Sequence, residues 1–268
     1  MEPLLTASLL GLVEGLTEFL PVSSSGHLII ASDLLGFSGP RASTFGVVIQ
    51  VGAILAVVAL YWRRFLSLLR PKAGSAFSGM RGISLLVLTT LPAASLGLLL
   101  HGFIKTLFTP VTVAAALICG ALLMLTVEHL LAPRQTDMPV KNLDQLTPLH
   151  ALGIGCFQCL ALWPGFSRSA STIMGGMILG VKREIAAEYS FIAAVPIITG
   201  AAAYDMWKSL SIFSAADIPF FLTGSLCAFV SALVAIRTFI AILNRNTLKP
   251  FAIYRILLAV PVYWFMAS

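Results

Sequence analysis

The sequence predicts an all-α, polytopic membrane protein with six transmembrane helices and two re-entrant helical hairpins, arranged as an inverted repeat. Three observations carry that prediction. The 268-residue chain is 58% hydrophobic and 10% charged, with a mean hydropathy of +0.96, whereas roughly a quarter of the residues in an ordinary soluble domain are charged. Six apolar stretches approach the about 20 residues that a spanning helix needs. Two further apolar regions are each broken near the middle by Pro, Gly and a cluster of Ser. This balance excludes a soluble globular domain, and the net charge of +6 reads as positive cytoplasmic loops rather than a surface for nucleic acid.

The first broken region is 4–36. It has no Lys or Arg before Arg41 and carries Glu14 and Glu18 inside its apolar run, so it is expected to be mature sequence rather than a signal peptide. Its break reads Pro21-Val-Ser-Ser-Ser-Gly-His27, leaving halves of about 15 residues that are too short to cross a bilayer. Irregular backbone at membrane depth survives only against protein or a water-filled cavity, which points to a re-entrant hairpin lining a site. Spans near 44–62, 83–101 and 111–131 follow. The second broken region, 149–180, is interrupted by Pro164-Gly-Phe-Ser-Arg-Ser-Ala-Ser-Thr172 and reads the same way. Spans near 189–207, 218–237 and 250–267 complete the chain. The cysteines Cys119, Cys156, Cys159 and Cys227 all lie in apolar stretches, where small helix-packing residues are expected rather than a disulfide or metal framework.

Loop charge orients these elements. Arg63, Arg64, Arg70, Lys72 and Arg81 occupy one loop without an acid, which is assigned to the cytoplasm. Alternating crossings put Arg134, Lys141, Lys182, Arg183, Arg237, Arg245 and Lys249 on the same side, and only Arg41, Lys105 and Lys208 opposite. Both termini then lie outside, the first hairpin opens outward and the second inward. An internal repeat runs through the same elements at an offset of 144 residues: Gly11 meets Gly155, Glu14 meets Gln158, Ser23 meets Ser167, Ser25 meets Ser169 and Gly36 meets Gly180. Because each half has three spans, the second copy is inverted. The expected organisation is one integral membrane domain with halves of about 1–133 and 148–268, and such repeats place their site at the interface near the midplane.

Ionisable groups at depth mark a functional site by default. Glu14 and Glu18, spaced i,i+4, share a helix face; two such carboxylates either share a proton or bind a cation, Mg²⁺ or Ca²⁺ by the hardness of their oxygens. Ser23, Ser24, Ser25 and Gly26 at a helix start form a cradle for an anion. His27 suits a nucleophile or a general acid or base. Arg168, flanked by Ser167, Ser169 and Thr172, matches phosphate oxygens bidentately; the alternative is an ion pair with Glu14 or Glu18 across the repeat interface. Arg255, read as close to the cytoplasmic end of the last span, is expected to snorkel to head groups. Glu128 and His129 end the third span and are given no chemistry.

Glu14-Gly-Leu-Thr-Glu18-Phe-Leu-Pro-Val-Ser-Ser-Ser-Gly-His27, together with Pro164-Gly-Phe-Ser-Arg-Ser-Ala-Ser-Thr172, closely resembles the undecaprenyl-diphosphate phosphatase family, also called the bacitracin-resistance proteins. The likeness runs over the whole chain, including Phe157 to Trp163 and Pro250 to Arg255. It implies a multi-pass hydrolase of the bacterial inner membrane that converts undecaprenyl diphosphate to undecaprenyl phosphate and inorganic phosphate, recycling the lipid carrier of cell-wall synthesis, with a site facing the periplasm. Position by position, it implies catalytic roles for Glu14, Glu18, Ser24, His27 and Arg168, and substrate contacts from Ser167, Arg168, Ser169 and Thr172. One departure is Gly46, where the family pattern leads one to expect an acid.

On this reading Glu14 and Glu18 hold a divalent cation, Arg168 and the Ser-rich backbone bind the remaining phosphate oxygens, and the nucleophile is Ser24, His27 or water. The expected partners are a polyprenyl diphosphate lipid and membrane lipids, with a homodimer left open and no nucleic acid. The rival reading, taken from the inverted repeat, is a lipid-phosphate flippase or an ion-coupled transporter.

Overall fold

The computed structural model describes residues 3–70, 74–209 and 215–267. They fold into α-helices without a strand among the described residues, apart from one isolated bridge between Val140 and Val181. In chain order the helices are α1 (Pro3–Thr17), α2 (Ser24–Leu34), α3 (Pro40–Leu60), α4 (Trp62–Leu69), α5 (Gly79–Leu99), α6 (His101–Thr106), α7 (Pro110–Leu131), α8 (Pro148–Gln158), α9 (Arg168–Ile178), α10 (Arg183–Ser209), α11 (Ile218–Leu243) and α12 (Lys249–Ala267). Among the described residues α5, α7, α10, α11 and α12 are each long and apolar enough to span a membrane, and α3 makes a sixth when taken with α4, from which it is bent by 80°. The protein is therefore a multi-pass membrane protein of the predicted class.

Both broken regions are helix–break–helix units. α1 ends at Thr17 and α2 starts at Ser24; α8 ends at Gln158, continues as a 3₁₀ turn over Cys159–Leu162, and α9 starts at Arg168. The N-caps are Ser23 and Ser167, whose hydroxyls accept from the Gly26 and Ala170 amides. They are the two described non-glycine residues with positive φ, 71° and 76°, and they stand 144 residues apart.

The halves interlock. α1 lies along α11 and α8 along α5, while α3 pairs with α10 and α7 with α12. In lipid the drive for helix association comes from close packing of small residues rather than from hydrophobic burial, and the contacts show it. A Cβ on Gly11 would run into the Gly224 backbone of α11, and one on Gly155 would stand 2.7 Å from the Thr89 carbonyl of α5.

Polar contacts tie the ends. Arg41 at the start of α3 pairs with Asp217 before α11. At the other end Arg64 pairs with Glu188, and Arg183 with Glu128. The linker after α7 also docks at that end, where Asp144 accepts from the Phe77 amide and the Ser75 hydroxyl. Burial alone would raise the Asp144 pKa, but these hydrogen bonds hold its carboxyl below the usual range. The membership of each end follows the crossing pattern predicted from loop charge. Glu128, given no chemistry in the sequence, proves to be fully buried and bidentate to Arg183 at 2.7 Å, and it also accepts from the Leu248 amide.

Candidate active site

The two breaks meet. The Glu18 amide still donates to the Glu14 carbonyl, at 2.9 Å, so the helical turn persists past Thr17 and both carboxylates leave one face a turn apart. Glu18 is nearly buried. Its Oε2 accepts from Ser24 Oγ at 2.6 Å and its Oε1 from Arg168 Nη2 at 3.0 Å. One carboxylate thus joins the first turn of α2 to the first residue of α9. The guanidinium also donates to the Ser190 carbonyl at 3.1 Å and sits 5.7 Å from the centre of the Phe19 ring. Ser169 donates to the Leu20 carbonyl at 2.8 Å, stitching the breaks a second time.

Glu14 differs from its neighbour. It is fully buried, both of its carboxyl oxygens lack a hydrogen-bond partner, and its charged neighbours are Glu18 and Arg168. Buried oxygens of this kind are what a bound cation or a shared proton satisfies. Among the described residues no three His, Cys, Asp or Glu side chains converge on one point, so the Glu14–Glu18 pair fits a divalent cation only as a partial ligand set, completed by substrate oxygens and water.

Ser167 Oγ lies 3.0 Å from Ser169 Oγ, and the Thr172 hydroxyl lies 2.6 Å from that of Ser190. Ser25 is exposed on the first turn of α2, and Gly26 is buried with its amide on Ser23. His27 makes its hydrogen bonds to other groups than the carboxylates. Its Nδ1 lies 2.8 Å from the Ser23 carbonyl and its Nε2 2.7 Å from the Tyr254 hydroxyl, with the two rings stacked. Because a carbonyl only accepts, Nδ1 carries a proton, and in the neutral ring Nε2 accepts from Tyr254. His27 and Tyr254 also line a cavity of about 560 Å³ whose other walls, Thr17 and Thr238 aside, are apolar, including Leu16, Leu20, Phe239 and Phe251.

Three participants escaped sequence reasoning. Ser190 follows Glu188 and Tyr189, and Tyr254 precedes Arg255, so neither stands out from the more conspicuous residues beside it. Arg255 was misplaced: it is fully buried at depth rather than snorkelling, and its Nη2 donates to the Phe166 carbonyl at 2.7 Å. The carbonyls freed by the breaks supply what head groups would have supplied. Gly46, where the acid was expected, lies on α3, and a Cβ there would stand 3.8 Å from the Leu28 side chain.

Comparison with known proteins places the chain among relatives of one kind. The family described as bacitracin resistance protein BacA matches residues 7–261. The chain is 62% identical to an undecaprenyl-diphosphatase of Desulfovibrio desulfuricans and 61% identical to one of Nitratidesulfovibrio vulgaris strain DP4, each over the full length of both proteins. It is 60% identical to the undecaprenyl-diphosphatase of Maridesulfovibrio salexigens over 99% of each.

Proposed function

The chain belongs to the bacitracin resistance protein BacA family, and from that membership we propose that it is a membrane phosphatase hydrolysing undecaprenyl diphosphate to undecaprenyl phosphate and inorganic phosphate. The reaction returns the lipid carrier to cell-wall synthesis. The observation that carries the assignment of its site is the Ser24–Glu18–Arg168 chain, which brings a hydroxyl, a carboxylate and a guanidinium from both breaks within hydrogen-bond distance.

Phosphoryl transfer is achieved mainly by positioning and charge neutralisation. Arg168, aided by the hydroxyls of Ser167, Ser169 and Thr172, binds phosphate oxygens, and the amides at the starts of α2 and α9, with Ser23, Ser25 and Gly26, complete the cradle. Substrate takes over the guanidinium from Glu18. Of the three nucleophiles left open by the sequence, Ser24 already has a base at 2.6 Å. Its oxygen attacks the terminal phosphorus, its proton passes to Glu18, and undecaprenyl phosphate leaves; water then releases phosphate from the serine. His27, held by Ser23 and Tyr254, keeps its proton on Nδ1 and lines the apolar cavity, which takes the first isoprene units of the tail.

Glu14 and Glu18 would hold a divalent cation, Mg²⁺ or Ca²⁺. When bound, the cation offsets the charge of the diphosphate. The family likeness favours a site open to the periplasm of the inner membrane, within an inverted repeat.

The test is detergent-solubilised protein with a prenyl diphosphate and Mg²⁺ or Ca²⁺. Inorganic phosphate is expected without any membrane gradient, and Arg168→Ala is expected to lower kcat by about 10²–10³, the usual effect of removing an oxyanion-stabilising donor. No release by the wild-type chain would refute the hydrolase reading, and proton-coupled movement in liposomes alongside it would favour a carrier.

A further inference from the structure

We infer that Arg255 is a positioning residue for the phosphate cradle: it clamps the two breaks at equivalent carbonyls and so sets how the two serine-capped helix starts face each other. The inference rests on the phosphatase reading of that site. Arg255 is fully buried, and the largest side chain to be so among the described residues. Its Nη1 reaches the Pro21 carbonyl at 3.5 Å, and its Nη2 reaches those of Gly165 at 3.2 Å, Phe166 at 2.7 Å and Ala116 at 3.3 Å. Its Cζ lies 5.8 Å from the centre of the Phe166 ring.

Pro21 and Gly165 are 144 residues apart, the same offset that separates Ser23 from Ser167. One guanidinium from the last helix therefore engages the same position of both repeats, two residues before each cap. A buried charge in a membrane protein is expensive and persists where it has work to do. Here its two Nη groups are taken up by carbonyls of both breaks and of Ala116 on α7, while Nε is buried without a partner; break carbonyls are the groups that irregular backbone at depth must satisfy. The planar fork of arginine spreads its donors over separate nitrogens and so spans carbonyls of both breaks, whereas the three donors of lysine share one nitrogen. Being sealed from the cavity, Arg255 acts on substrate only through the breaks it holds. Gly120 of α7 makes room for it, because a Cβ there would stand 2.9 Å from Arg255 Cζ and closer still to Nη2.

The test uses the full chain in detergent with a prenyl diphosphate. Arg255→Lys keeps the charge and loses the fork. The expected result is a kcat about a hundredfold lower at unchanged KM, the scale of a small misplacement of catalytic groups, with faster amide hydrogen exchange in both breaks together. Gly120→Ala displaces the guanidinium without removing it and should act in the same direction, and the double variant should be no worse than the poorer single variant. Wild-type kcat in Arg255→Lys, exchange rising in one break alone, or single effects that multiply independently would each overturn the inference. Should Arg255→Lys not fold, Gly120→Ala decides by kcat and exchange. If the wild-type chain releases no phosphate, the hydrolase reading fails, while the exchange measurement still decides the clamp.

Discussion

The Ser23 carbonyl fixes the tautomer of His27 through Nδ1, and Tyr254, whose hydroxyl lies 2.7 Å from Nε2, fixes its direction. Tyr254→Phe keeps the stacked ring and removes one hydrogen bond, a loss of about 1 kcal/mol. If His27 acts in turnover, kcat should fall by about fivefold to tenfold at unchanged KM and unchanged thermal unfolding; unchanged kcat would remove His27 from the proposed site. At this scale Glu14, Glu18 and Arg168 were legible because a charge inside an apolar run is conspicuous by itself. Arg255 was equally conspicuous, but its depth was not. Whether a basic residue reaches head groups or buried carbonyls depends on which backbone its helix meets, and that is settled by tertiary packing.

The hairpins were legible as elements because Pro, Gly and Ser interrupt apolar runs too short to cross, and the structure puts helix ends at Thr17, Ser24 and Arg168. The bend of 80° between α3 and α4 was not. Arg63 and Arg64 marked a loop, yet Trp62–Leu69 is a helix, since its apolar and basic residues suit a surface rather than a span. The alignment of Gly11 with Gly155 was visible in sequence, and the structure explains it: each glycine is where a hairpin helix touches a neighbour from the other half. Gly155→Val should therefore destabilise the packing of α8 on α5 by about 1–3 kcal/mol through overpacking, read as a lower midpoint of thermal unfolding in detergent. An unchanged midpoint would show that α8 has room to retreat.

Across the whole molecule, the buried Glu128–Arg183 pair fastens the end of α7 to the start of α10, and through Leu248 to the segment before α12. Removing one partner leaves the other charge buried, so Glu128→Ala should destabilise the protein by about 3–5 kcal/mol; Glu128→Ala combined with Arg183→Met should recover much of that loss in the same unfolding measurement. Distribution of Lys and Arg made the order of crossings legible, whereas the exchange of partners between halves was not, because like apolar strings fit many neighbours. That exchange has a consequence for biogenesis. α1, which carries Glu14, is made some two hundred residues before α11, against which it packs. The hairpin bearing the carboxylates must wait, undocked, while the intervening helices are inserted, and the site can close only after α11 has been made.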